Sequence, residues 1–560
     1  MALSHANISI PLLRVPPFPG SRPASFSRAG IVPKSLADLD VDTLLQAIRS
    51  NRVGGTYWGS QPRLPAAPYT LVRIRDCEAP ARRLPSLDIE GQVVVWLDSP
   101  AAMPASSSTT TVSGTCDPWH LLSGASRVFV DSDDELALIA AIAGVPIESS
   151  GSGRFASLSG KPTDAVIRQA FEHQVVGVCS YFDPYSGEPI DLAKAIECCA
   201  FWRRLIDSNR NIDAAAGFAF WKRTTVAPLL WGGSESVPFV SNADAVGKAD
   251  CVAVWRARAP SRLLSELERR EVQLIEVEDG FIRSLGLGSD CVPPLSIVVD
   301  RLGAHFDPKR PSELEELLEG GDFSSEVLDR ARCLRELIVA SGLSKYSTGH
   351  KPLERRVADR RYILVPGQVE DDRAVVSGGA GLTSNLELIR RVRAEAPDAY
   401  LIYKPHPDVE AGHRTGAIAD EPCLSLADEI MRNEPISALL NLVDEVHVNS
   451  SLAGFEALLR NKPVTTHGIP FYAGWGLTRD LAPAPVRRTA KRTLDELVAA
   501  VLLRYPRYLD PLTGLPCPPE VLVERLTNSA AGVSPDGIVV RLRRLQGRCR
   551  RGLAALRHLR

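Results

Sequence analysis

The side chains best suited to chemistry lie immediately after short apolar runs of strand type. Open α/β sheets bind ligands beyond the carboxyl ends of their strands. Residues 273–277 (QLIEV) precede Glu278, Asp279 and Gly280, then Arg283 and Ser284. A carboxylate pair before a glycine sits on a tight turn, where one acid can serve as general base or nucleophile. It also fits a turn aspartate capping the next segment. Arg283 offers a bidentate fork to a substrate carboxylate, or a structural ion pair to the same acids. Residues 400–403 (YLIY) precede Lys404, Pro405, His406 and Pro407. Two prolines stiffen that loop. Both Lys404 and His406 can donate to a phosphate, and His406 can protonate a leaving group. Residues 445–448 (EVHV) precede Asn449, Ser450 and Ser451, which open a helix as a phosphate site or as a plain N-cap. Residues 362–365 (YILV) precede Pro366, Gly367, Gln368 and the acids Glu370, Asp371 and Asp372. Two phosphate-type loops on neighbouring strand ends strengthen one another. With no Walker-type glycine loop, they suit a single phosphate. No DxD-type carboxylate cluster stands ready to hold a metal on a diphosphate, so no metal and no cofactor are expected.

The elements that must position these residues alternate strand and helix from residue 211 onward, the signature of parallel α/β sheets. One block runs over 181–345, with strands at 251–255, 273–277 and 295–300 behind a bridging helix at 192–206. A second spans 346–525, with strands at 362–365, 400–403, 445–448 and 463–466. Two such blocks leave a cleft at their facing edges. Residues 36–180 form a smaller α/β module, with strands at 92–97 and 127–130 and an apolar helix at 135–143. Residues 1–35, rich in Pro, Ser and Arg, read as disordered. Residues 101–115 read as a low-complexity loop. Two segments echo later ones in the same order. Residues 128–146 parallel 446–463, and YFDPYSGEP (181–189) parallels YLDPLTGLP (508–516), each offset by about 320 residues. Duplication with a shortened first copy accounts for both.

The 560 residues allow three or four domains at roughly 150 residues each. Lys plus Arg number 65 and Asp plus Glu 67, a net charge of -2 that argues against a nucleic-acid binder. The 11 cysteines are scattered, with Cys198 and Cys199 adjacent and no CxxC pair, which fits a reducing cytoplasm rather than zinc or disulfides. No secretory leader is expected, and the longest apolar run, 136–147, is too short to span a bilayer. The tail 526–560 ends in eight arginines over 541–560 with no acid. As a helix it suits an anionic membrane surface; it equally fits a solvated basic tail.

The strings EDGFIRSLGLGSD (278–290), PLSIVVD (294–300), LSKYS (343–347), ILVPGQVEDD (363–372), YKPHPDV (403–409), SSLAGFEALL (450–459) and GIPFYAGWGLT (468–478) resemble one family. It is the capsule polysaccharide biosynthesis and export family, in its KpsC-type (LipA-like) β-Kdo transferases, and the resemblance covers about residues 180–520. It implies a GT-B fold, with two Rossmann-like domains facing a cleft, here preceded by the partial α/β module. It implies a CMP-β-Kdo donor, retention of configuration and a phosphatidylglycerol-type glycolipid acceptor. Partners would be the inner-membrane surface and other capsule biosynthesis and export proteins, with the chain cytoplasmic and peripheral. Carried over, Asp279 is the catalytic nucleophile with Glu278 beside it. Lys404, His406, Asn449, Ser450, Ser451 and Gln368 hold the CMP phosphate, and His406 assists its departure. Arg283 and Ser284, with Gln368, face the Kdo carboxylate or the acceptor.

The chain departs from the family pattern in its first 180 residues, which contain no EDG turn and no HP loop. The position echoing Ser450–Ser451 reads Ser132–Asp133, and an aspartate there repels a phosphate. The first module therefore reads as non-catalytic, and one Kdo linkage is expected rather than two. A non-catalytic export or scaffold protein, and a transferase for another CMP-linked nonulosonic acid, are the competing readings.

Overall fold

The computed structural model describes residues 11–22, 26–29, 40–75, 89–100, 108–247, 251–284, 291–344, 353–412 and 414–529. The chain forms two compact units, one of residues 1–211 with 230–237, the other of 212–229 with 238–560. The basic tail lies outside the described residues.

In the first unit, β1 (Ser27–Ala29) is followed by β2 (Tyr69–Ile74), β3 (Gln92–Leu97), β4 (Thr109–Ser113), β5 (Ala125–Asp131) and β6 (Ile147–Ser150). β2 to β6 form one parallel sheet in the order β4-β3-β2-β5-β6. The run QVVVWL is buried at all but its first residue, as a strand covered on both faces requires. Helix α1 (Glu135–Ala143) crosses from β5 to β6. β7 (Cys179–Phe182) and β8 (Pro189–Ile190) pair as a hairpin on β1, and α2 (Leu192–Asn209) follows. This helix, expected at the head of the second module, belongs to the first unit. Its Arg203 is buried against Asp117 at 2.7 Å. Removing one partner of such a buried pair costs about 3–5 kcal/mol.

Two segments expected to lack structure have it. Within residues 1–35, Leu12, Leu13, Phe18 and Phe26 are buried. Phe18 packs edge-on against Trp231 and Phe26 against Trp202, so four apolar anchors offset the ordering cost of a proline-rich stretch. Within 101–115, β4 adds to the sheet edge beside β3; its threonines are β-branched and fit a pleated edge.

The second unit holds two sheets. β9 (Ala214–Ala216), β10 (Phe239–Val240), β11 (Cys251–Val254), β12 (Gln273–Asp279) and β13 (Ser296–Asp300) build the first. Its order is β10-β9-β11-β12-β13-β20-β21, where β20 (Pro506–Leu509) and β21 (Pro516–Cys517) return from the far end of the chain. β10, β9, β11 and β12 are parallel, whereas β13, β20 and β21 pair antiparallel, so this sheet is mixed rather than parallel throughout. The second sheet contains β14 (Tyr362–Pro366), β15 (Tyr400–Lys404), β16 (Glu429–Ile430), β17 (Glu445–Val448), β18 (Val464–Thr466) and β19 (Arg479–Asp480), all parallel in the order β16-β15-β14-β17-β18-β19. Its chain reverses direction of growth between β14 and β17, the place where open sheets form a ligand crevice.

Both echoes fold alike. β5-α1-β6 and β17, the helix Leu452–Leu459 and β18 are each a parallel βαβ unit. β7-β8 and β20-β21 are each antiparallel hairpins preceded by a π-helical turn. In each, the motif's aspartate, Asp183 or Asp510, accepts two backbone N–H groups of the turn.

Candidate functional site

Strand ends of both sheets in the second unit open onto one cavity of about 750 Å³. Among its lining residues are Lys222, Glu278, Asp279, Arg283, Gln368, Lys404, His406, Ser450 and Ser451. Asn449 and Ser284 are not among them.

The first wall comes from β12. Glu278 and Asp279 are its last two residues, held in register opposite Val298 and Ile297. Gly280 follows where a Cβ would collide with the Ser296 side chain, so the close approach of β13 demands glycine. Asp279 has a cation on each oxygen. Arg283 Nε lies 3.1 Å from Oδ2 and Lys222 Nζ 3.4 Å from Oδ1. Arg283 is fully buried, and its other nitrogens donate to Ser284 Oγ and the Val292 carbonyl, both at 2.8 Å. The guanidinium is thus committed to holding Asp279, the structural alternative the sequence left open. Ser284 is buried as Arg283's partner.

Lys222 is absent from the residues singled out by sequence; its one local signal is the neighbouring Trp221. It ends a single turn, Phe220–Lys222, that follows β9. Gly217, at φ +79°, bends the chain there against the Trp255 carbonyl. The ammonium sits 3.1 Å from the centre of the Trp255 ring and 5.3 Å from that of Trp221. Burial pushes its pKa down to about 8, opposed by the Asp279 charge. Burial pushes Glu278 upward, opposed by Arg373. Arg373 opens α3 (Arg373–Gly378), beyond β14, and reaches Glu278 at 2.7 Å and Glu276 at 3.1 Å, tying the two sheets together.

The second wall comes from β14, β15 and β17. Asn385, first residue of α4 (Asn385–Glu395), bonds both backbone groups of Gln368 at 2.8 Å. The Gln368 side chain then grips Ser450: its Oε1 accepts the Ser450 N–H at 2.9 Å and its Nε2 donates to Ser450 Oγ at 3.2 Å. Ser450 Oγ donates in turn to the Ala374 carbonyl at 3.0 Å. Gln368 therefore sets the approach to the helix rather than facing a ligand alone. Beyond the short α5 (Pro407–Glu410), Ser451 caps α6 (Leu452–Leu459), its Oγ accepting from Ala453 at 3.2 Å. Asn449 is buried and donates to the Leu382 carbonyl at 2.6 Å, so it braces the loop from behind. Lys404 is buried, its ammonium 3.0 Å from the Arg432 carbonyl, and burial lowers its pKa. His406 caps α5: Asp408 N–H donates to its Nδ1 at 3.1 Å. That bond assigns the lone pair to Nδ1 and the proton to Nε2, so the neutral ring remains a donor. His305, also unanticipated, lines the cavity within a ring cluster of Phe281, Phe471 and Tyr505.

The helix of the first unit that echoes α6 is capped differently. Its N-cap is Asp134, one residue beyond the aspartate singled out from sequence. Asp134 accepts from Leu136 N–H at 2.9 Å and faces Arg75 at 2.8 Å and Arg73 at 3.5 Å. Ser132 is buried and accepts from Gly153 N–H, while Asp133 accepts from Arg154. The anion position at this helix start is thus filled by the protein's own carboxylate. Among the described residues, no group of three or more His, Cys, Asp or Glu is placed to hold a metal ion. No described helix is long and apolar enough to cross a membrane.

A family model described as "Capsule polysaccharide biosynthesis protein" matches residues 250–508. The capsule polysaccharide modification protein LipA of Neisseria meningitidis serogroup B is 37% identical over 350 residues, covering 62% of this chain and 49% of LipA. The chain thus spans about half the length of the curated relatives it matches first. Two solved Thermosulfurimonas dismutans structures are also similar. KpsC, beta Kdo 2,4 transferase, is 31% identical over 56% of this chain and 98% of that one, with TM-score 0.50. KpsC, beta Kdo 2,7 transferase, is 35% identical over 57% and 99%, with TM-score 0.46. The strand-end acids, the HP loop and the serine-capped helix fall within the family model's bounds, and the chain belongs to the capsule polysaccharide biosynthesis family as a homologue of its KpsC-type β-Kdo transferases.

Proposed function

We propose that this chain is a retaining GT-B glycosyltransferase that moves Kdo from CMP-β-Kdo to a phosphatidylglycerol-type glycolipid, contributing one linkage of a capsule linker. The observation that carries this reading is the shared cavity: a carboxylate with a cation on each oxygen faces the same space as His406 and the N-terminus of α6. An Asp279 oxygen attacks the anomeric carbon. The bond from that carbon to the phosphate oxygen breaks, and its electron pair leaves on CMP. His406 gives a hydrogen bond from Nε2–H to the departing phosphate without losing the proton, and the start of α6 offers backbone N–H groups to it. An acceptor hydroxyl then attacks from the opposite face: the Asp279–carbon bond breaks, its electron pair restores the carboxylate, and the hydroxyl proton passes to solvent. Two inversions give net retention. No metal or other cofactor is required in this scheme. The self-capped helix of the first unit supports a single transferase module.

The test is a transfer assay with CMP-Kdo generated in situ and a fluorescent Kdo-primed phosphatidylglycerol analogue. A product one Kdo heavier is expected. CMP binding without product would move the reading to another CMP-linked nonulosonic acid or acceptor. Neither binding nor product would favour a scaffold that only holds the linker.

The acceptor is a lipid, so we assign the protein to the cytoplasmic face of the inner membrane, beside other capsule assembly and export proteins. The arginine-rich residues 541–560 are the proposed contact. Truncation before residue 541 should move protein from the membrane to the soluble fraction; an unchanged distribution would reject that contact.

A further inference from the structure

Lys222 differs from the other cation on Asp279. Arg283 is fully buried; its two terminal nitrogens donate to Ser284 and Val292, and its Nε lies in ion-pair range of Asp279 Oδ2. Lys222 lines the cavity, and among the described residues its ammonium makes one long hydrogen bond, 3.4 Å to Asp279 Oδ1. An ammonium has three donors, and the Trp255 face that it rests on accepts only weakly. A buried, under-coordinated ammonium beside a nucleophile is placed to receive an incoming anion.

The proposed donor supplies one, so the inference rests on that reading. In a keto sugar acid the carboxylate is bonded directly to the anomeric carbon. Attack by Asp279 on that carbon brings two carboxylates within a few ångströms, and like charges at that distance repel unless a cation lies between them. We propose that Lys222 reads the sugar carboxylate, exchanging Asp279 Oδ1 for it as the donor seats. Arg283 keeps Oδ2 throughout, so Asp279 stays ionised and oriented while Oδ1 is released for attack. The exchange leaves Lys222 paired at every stage. It also makes Lys222 a specificity residue: a sugar nucleotide without an anomeric carboxylate gives the lysine nothing in return for Asp279.

The experiment compares wild type, Lys222→Met and Lys222→Arg in CMP binding by calorimetry and in steady-state kinetics with CMP-Kdo. CMP lacks the sugar, so its affinity should stay within about twofold in both variants and shows that each is folded. Lys222→Met should raise the donor KM and lower kcat/KM by about a hundredfold or more, the scale of an unpaired buried charge contact. Lys222→Arg should recover most of the loss. The groups facing Lys222 are Asp279, Glu278 and Arg283. As pH rises through about 8 the ammonium loses its proton, so wild-type kcat/KM should fall there. A guanidinium stays charged, so in Lys222→Arg that fall should move upward. A fall that stays in place would belong to Glu278 and count against the proposal. A donor KM within twofold of wild type in Lys222→Met, or CMP binding lost with it, would overturn the proposal. Absence of CMP-Kdo turnover by wild type would instead remove the functional reading, and this inference with it.

Discussion

Replacing Asp279 with asparagine should lower Kdo transfer by about four orders of magnitude while leaving CMP affinity within a few fold. Loss of a lone catalytic group in a concerted set is of that size. The amide keeps the shape of the side chain but has no anionic lone pair to attack the anomeric carbon. The proposed CMP site lies on the other wall, at the end of β15 and the start of α6, which the substitution does not touch. The substitution also leaves Lys222 and Arg283 facing a neutral partner. Arg283 is wholly buried, so a lower melting temperature accompanies the loss of activity. The two effects separate through Asp279→Glu. That variant restores the charge for both cations and hence the melting temperature, but places the nucleophile one methylene too far forward. Turnover in Asp279→Asn within tenfold of wild type would exclude the attacking role. A melting temperature that fell equally in both variants would mean that shape, not charge, holds the β12 end together.

The placement of that strand end is legible because strand, acid pair and glycine are contiguous. The run QLIEVED is alternately buried along β12, and Gly280 is fixed by the close packing of Ser296, so spacing along the chain equals spacing in the site. The serine-capped helix was legible for the same reason. What was not legible depends on sheet order. Lys222 stands 57 residues from Asp279 and reaches it because β9, β11 and β12 lie side by side. Only its neighbour Trp221 in the run FAFWK hinted at an aromatic cradle. Arg373 is 95 residues from Glu278 and comes from the opposite sheet. Gln368 was found, but its role changed. An amide side chain can satisfy a serine hydroxyl and N–H together, and only the fold shows that it does. The return of β20 to the first sheet was hidden as well. It shows in YLDPLTGLP only once β7-β8 reveals what the matching motif builds. Composition hides the order in residues 11–22 because it averages over Leu12, Leu13 and Phe18, the buried apolar side chains that pin the segment.

His406 has two jobs that one substitution can separate. Its Nδ1 accepts the Asp408 N–H and so starts α5; its Nε2–H is the donor proposed for the phosphate. Alanine would remove both and confuse a loosened loop with lost chemistry. Asparagine is among the best helix N-caps, and its Oδ1 takes the same Asp408 N–H. The side chain is shorter, however, and carries no donor where Nε2 was. His406→Asn should therefore keep the melting temperature and lower kcat by about a hundredfold, the scale of losing one hydrogen-bond donor aimed at developing charge. Phosphate is already a good leaving group, which sets the effect below that of Asp279. Product release gives a second reading of the same bond. If Nε2–H binds the departing phosphate, CMP inhibits His406→Asn more weakly than wild type, and its Ki should rise about tenfold, the worth of one charge-assisted hydrogen bond. A kcat and a CMP Ki both unchanged in a variant of native stability would confine His406 to capping the loop. The phosphate would then rest on Lys404 and the start of α6 alone.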